Sequence, residues 1–195
     1  MMINLSERKR LEALPSINNL IPTINFSRKL ELRTTSERPR ILSVGIGRDA
    51  LQEYSSFRLA FRDYDGISFL GMDNDPEAVL KSRNEISGLG QVLLFDGTEI
   101  DEDFGDFDMV ILRHPNCETL GGRDSWGKIF NNLKSVTHNG SLVVGTHFCF
   151  RGGVYLARGL EIPGFNIKYA GINPYSGLQI DKRSKLDKYL VVARK

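Results

Sequence analysis

From residue 41 onward the chain alternates short apolar runs with stretches of helical spacing, and this alternation restricts the fold more than any other feature. The runs lie at 41–44, 67–72, 92–95, 109–112, 142–145, 165–170 and 189–193. They are nearly continuous in apolar residues, the pattern of strands covered on both faces. Between them, Ala50, Tyr54, Phe57 and Phe61 fall on one helical face, as do Trp126, Ile129, Phe130 and Leu133. Asp75-Pro76-Glu77 predicts a helix start, with Asp as cap, Pro in the first turn and Glu near the positive helix end. His138-Asn139-Gly140 is expected to close the helix of Trp126 and turn into the next strand. Strands and helices in this order make right-handed βαβ units, hence an α/β fold of three layers with a mostly parallel, seven-stranded sheet. The last two runs have no helical pattern between them, which predicts an antiparallel last strand at one edge.

The 195 residues suit one domain of this kind, and 41% hydrophobic with 26% charged residues is the balance of a soluble globular chain. No apolar run approaches the roughly 18 residues of a membrane-spanning helix. The opening MMINLSERKR has no apolar stretch behind its basic residues and does not read as a secretory signal, so a cytoplasmic setting is expected. Two cysteines make no disulfide framework, and three histidines without paired cysteine spacing support no metal site. Residues 1–40 differ in texture and read as an N-terminal helical extension to a domain at 41–195. A helix is expected at 6–14, stopped by Pro15, followed by a polar stretch that packs loosely. A net charge of +2 argues against binding nucleic acid through bulk charge.

In an open parallel sheet, ligands bind beyond the carboxyl ends of the strands. Three strand ends here carry residues suited to that. After the first, Gly45, Ile46 and Gly47 let the backbone turn tightly and approach a ligand, with a helix N-terminus following. Read literally, these glycines with Ala50 also fit a dinucleotide pattern. The second run ends in Asp73-Asn74. Asp75 suffices as the helix cap, so Asp73 is left to accept hydrogen bonds from ligand hydroxyls. The third is followed by Asp96-Gly97, placed to accept from an exocyclic amine or to make a simple Asp-Gly turn.

The ordered series of glycine turn, acid and acid resembles the class I S-adenosylmethionine-dependent methyltransferases. SVGIG is similar to the family's glycine-rich first motif, GMDNDPEAV to its ribose-binding second motif, and VLLFDGT to its adenine-side third. FDMVILRH resembles the fourth strand beside the methyl-transfer pocket, LKSVTHNGSLVVGTHF the helix, turn and fifth strand, and YLVVARK the final strand. The resemblance implies a Rossmann-like fold and S-adenosylmethionine as cofactor. Gly45, Ile46 and Gly47 would form its loop, Asp73 and Asn74 would hold the ribose, and Asp96 with Gly97 would orient the adenine. Two positions depart from the pattern: Ser43 stands where the family carries an acid, and Asp49 where it carries a third glycine.

Methyl transfer from a sulfonium needs alignment and, for a protonated nucleophile, a base. Arg113 and His114 follow the fourth strand and would face the reaction centre, His114 as general base. A loop histidine bonded to backbone is the competing reading, and His147 is a second candidate. Cys149 is expected in the core. The acceptor would be a small molecule. Residues 1–40 hold eight basic and four acidic residues and residues 181–195 six and two, so an anionic acceptor follows if these ends converge over the pocket. Ser43 and Asp49 leave open a catalytically silent binding or scaffold protein of the same fold. A nicotinamide-dependent oxidoreductase is a third reading, opposed by Asp49 and Asp96.

Overall fold

The computed structural model describes residues 20–30, 36–176 and 187–195. The expected helix at 6–14 and the basic stretch 181–186 lie outside these residues. Seven strands form one sheet: β1 (Arg40–Val44), β2 (Ser68–Asp73), β3 (Gln91–Leu94), β4 (Phe107–Arg113), β5 (Thr137–His147), β6 (Asn166–Ile172) and β7 (Tyr189–Arg194). Their spatial order is β3-β2-β1-β4-β5-β7-β6. The first five run parallel, while β7 pairs antiparallel with both β5 and β6. Five α-helices accompany them among the described residues: α1 (Leu20–Lys29), α2 (Ala50–Ala60), α3 (Pro76–Glu85), α4 (Leu120–Asn132) and α5 (Phe150–Glu161), with two 3-10 turns, Gly97–Glu99 and Glu102–Phe104, before β4.

Burial on both faces explains the unbroken apolar runs. In β4, Met109 and Ile111 join one core cluster with Phe57 and Phe61 of the α2 side. Val110 and Leu112, pointing the other way, join a second with Phe130, Leu156 and Leu160. A strand so placed has no solvent face on which polar residues could alternate.

Three expectations need correction. The turn at 138–140 is not a helix end: α4 stops at Asn132, and β5 already begins at Thr137. Thr137 Oγ1 donates to Leu133 O at 2.7 Å, closing that helix earlier. Residues 138–140 are instead accommodated as an irregularity in β5, since Phe107 pairs with Thr137 but Met109 with Leu142. The stretch before Pro39 is not loosely packed throughout. Leu20 and Ile24 of α1 are buried in the α2-side core, and the Arg28 guanidinium lies 4.3 Å from the Phe61 ring centre. Cys149 is half-buried at the start of α5, whereas Cys117 is the core cysteine, its thiol pushed up to about 12 chiefly by burial.

Candidate functional site

Strand order reverses between β1 and β4, so a crevice opens at their carboxyl ends. A cavity of about 240 Å³ lies there. Gly45, Asp73, Asn74, Asp96 and Gly97 line it, on turns that follow β1, β2 and β3. Trp126 and Ile129 of α4 form its apolar wall. Three strand ends separated by up to 52 residues in sequence therefore meet around one space.

Backbone conformation accounts for the two loop glycines. Gly45 and Gly47 have φ of 72° and 60°, a region that side-chain-bearing residues avoid. Gly45 and Ile46 N–H groups both donate to Met72 O, tying the turn to β2. The Ile46 side chain is buried, and a methyl added at Gly71 would lie 2.5 Å from its Cδ1. Ile46 therefore anchors the turn from below, and neither it nor Gly47 lines the cavity. At Gly97 an added methyl would stand 3.1 Å from Ile129 Cδ1 and 3.2 Å from Val44 Cγ1, so glycine is what keeps this side open.

Asp73 has protein partners as well as a place in the cavity. Its Oδ2 accepts from Gly47 N–H at 2.8 Å and its Oδ1 from Asp75 N–H at 2.9 Å. One carboxylate thus holds the glycine turn and the α3 cap together, with a lone pair on each oxygen still available. Asp75 caps α3 as expected, accepting from Glu77 and Ala78. Asp96 accepts from Thr98 N–H at 2.9 Å, and this hydrogen bond holds its carboxyl below the ordinary value. The Asp-Gly turn is present, then, and the same ionised carboxylate borders the cavity.

Val44 pairs with Leu112, which carries Arg113 and His114 past the sheet beside the glycine turn. Neither lines the cavity; Arg113 reaches the segment after the glycine turn at Asp49. Arg113 is enclosed by carboxylates: Nη1 lies 3.3 Å from Glu53 Oε1 and 3.7 Å from Asp49 Oδ2, and Nη2 lies 3.8 Å from Asp187 Oδ2. Burial disfavours its charge, but Glu53, Asp187 and Asp49 outweigh that and raise its pKa. Glu53 is fully buried, and burial raises its carboxyl against the opposing pull of Arg113 and Ser43. Ser43 Oγ donates to Glu53 Oε2 at 2.5 Å. Both departures in the first motif thus meet a partner: Ser43 hydrogen-bonds the buried Glu53 of α2, and Arg113 faces Asp49.

His147 is buried at the end of β5, its ring stacked on Phe148 at 4.3 Å, and burial lowers its pKa. A methyl at Gly152 would collide with that ring at 1.9 Å. Cys149 caps α5, its Sγ accepting from Gly152 N–H at 3.3 Å and donating to Glu118 Oε1 at 3.1 Å. Among the described residues no cluster of three His, Cys, Asp or Glu could hold a metal ion. No described helix is long and apolar enough to cross a membrane.

Glu53, Trp126 and Asp187 carry weight that the sequence reading does not assign them. Glu53 had a signal: it sits three residues after Ala50 and four before Phe57, so an acid occupies the core face of α2. Asp187 had none, being one of two acids in a basic stretch.

No protein-family model matches the chain, and no curated protein matches it in sequence. Solved structures do match in fold. A TehB-like SAM-dependent methyltransferase from Corynebacterium glutamicum superposes with a TM-score of 0.62 at 18% identity, covering 96% of this chain and 93% of that one. A S-adenosylmethionine-dependent methyltransferase from Clostridium acetobutylicum gives 0.66 at 10% identity, covering 94% and 93%. The CcbJ methyltransferase from Streptomyces caelestis gives 0.63 at 11%, covering 93% and 97%. The chain has the Rossmann-like fold of the class I S-adenosylmethionine-dependent methyltransferases.

Proposed function

We propose that the protein is a methyltransferase that uses S-adenosylmethionine and acts on a small-molecule acceptor. The observation that carries this reading is the cavity at the reversal of strand order, bordered by Asp73 and Asp96, with no lysine or arginine in its lining. Two carboxylates suit the hydroxyls of a ribose and the amine of an adenine. They repel a pyrophosphate, which disfavours a nicotinamide dinucleotide. Gly97 fits the same view, because any side chain there would narrow the space.

In this reading Asp73 and Asn74 hold the ribose, Asp96 and Gly97 the adenine side, and the turn at Gly45, Ile46 and Gly47 the methionine end. Trp126 gives the adenosine an apolar wall. The cofactor supplies an electrophilic methyl group on a sulfonium. His114, beside the turn, serves as base, while Arg113 orders the carboxylates around it and is not a contact for the acceptor. The paired state of Asp49 and the carboxylate of Glu53 support a working site over a silent one.

Thermal melting tests the proposal. A ligand at about 100 times its Kd adds roughly 2.7 kcal/mol, a rise of about 5–10 °C for a chain of this size. S-adenosylmethionine and S-adenosylhomocysteine are expected to give it and NAD is not. A rise with NAD alone would overturn the reading, and no rise with any of the three would favour the silent binding or scaffold protein.

A further inference from the structure

His114 is the one non-glycine residue with positive φ among those described, at 53°. That conformation disfavours a side-chain-bearing residue by about 1–2 kcal/mol and persists where neighbouring contacts impose it. Two contacts do so here. The His114 N–H donates to Thr146 O at 2.9 Å, and ring Nε2 lies 2.9 Å from Asp187 Oδ1. Burial raises the Asp187 carboxyl, but its hydrogen bond to His114 and the charge of Arg113 prevail and hold it at about 2. An ionised carboxylate can only accept, so Nε2 carries the hydrogen, and in the neutral ring the lone pair is then on Nδ1.

Asp187 is itself fixed from behind. Asn173 Nδ2 donates to Asp187 O at 3.0 Å and to Thr23 Oγ1 at 3.1 Å, and both Asn173 and Thr23 are buried. Helix α1 is thereby joined through Asn173 to the segment that bears Asp187. The Phe148 ring stands 6.2 Å from that of His114 and is 45% exposed, an aromatic surface near the base.

We infer that Asp187 is the positioning residue for His114, and that the acceptor presents its nucleophile as an X–H group. This rests on the methyltransferase reading above. Asp187 fixes the tautomer and supports the charge that the ring takes up. The proton passes from X–H to Nδ1, the X–C bond forms, and the C–S bond breaks with its electron pair left on sulfur as a neutral thioether.

Two measurements test it. Ring 15N spectra, assigned against His114→Ala, are expected to show Nε2–H and an unprotonated Nδ1 at His114 in the wild type; an Nδ1–H tautomer overturns the inference whether or not variants fold. Formation of S-adenosylhomocysteine is then followed with benzenethiol, phenol and benzylamine against thioanisole and N,N-dimethylbenzylamine, which have no proton to give up. Turnover is expected in the first set alone, falling roughly a hundredfold in Asp187→Asn and in His114→Ala with S-adenosylhomocysteine binding retained. Turnover of the second set, silence of the whole first set, or unchanged turnover in Asp187→Asn overturns it. Failure of the wild type to bind S-adenosylhomocysteine instead overturns the underlying methyltransferase reading.

Discussion

Replacing Arg113 by Met would remove the cation from a buried group of carboxylates. The side chains of Glu53 and Asp187 are 1% and 7% exposed, so both would lose a neighbouring positive charge with little water to replace it. Removing one partner of a buried ion pair costs about 3–5 kcal/mol. At 195 residues that is a fall in Tm of roughly 6–20 °C. The pH dependence has a definite sign. Without Arg113 the Glu53 carboxyl, already raised in the folded state, would rise further. A raised folded-state value favours folding at low pH and loses that contribution as pH climbs through it. The deficit of Arg113→Met relative to wild type should therefore be largest near neutral pH and shrink as the pH is lowered from there. Adding Glu53→Gln should recover part of the loss, because the neutral amide needs no cation. Thermal melts of the two single variants and the double variant across that range give the comparison. Strictly additive losses, or a deficit that grows on acidification, would refute the claim that Arg113 neutralises Glu53.

Further outcomes follow from the same geometry. Asp73→Ala should abolish the Tm rise with S-adenosylhomocysteine and also loosen the turn it ties to β2; an unchanged rise would refute the ribose assignment. Asp187, held at about 2 in the folded state, contributes stability above about pH 4 that is lost as pH falls toward 2, on the order of 2 kcal/mol. Acid melts of wild type and Asp187→Asn should differ in that window, the variant losing less stability as pH falls. Gly152→Ala drives a methyl against the His147 ring and should destabilise by about 1–3 kcal/mol, read as a lower Tm. Trp126, the chain's single tryptophan, lines the cavity, so its emission should change on titration with S-adenosylhomocysteine and stay constant with NAD.

The sheet was legible because its central strands are buried on both faces, which leaves an unbroken apolar signature in sequence. The strand-end residues Asp73 and Asp96 were legible for a related reason: each follows such a run directly. What escaped is tertiary. Glu53 meets Arg113 across 60 positions and His114 meets Asp187 across 73, and no local pattern joins them. Residues 138–140 show the opposite error, where turn-forming residues were read locally although pairing with β4 draws them into a strand. Helix α1 was hidden by the polar residues Thr23 and Ser27, which are buried because each has an internal hydrogen bond.

The central claim is that one nucleoside sits on the carboxyl ends of β1, β2 and β3. A crystal structure with S-adenosylhomocysteine bound tests it most directly. The ribose hydroxyls should lie within hydrogen-bond distance of Asp73, the adenine between Asp96 and Trp126, and the sulfur toward His114. A ligand found elsewhere, or seated with its ribose away from Asp73, would contradict the account.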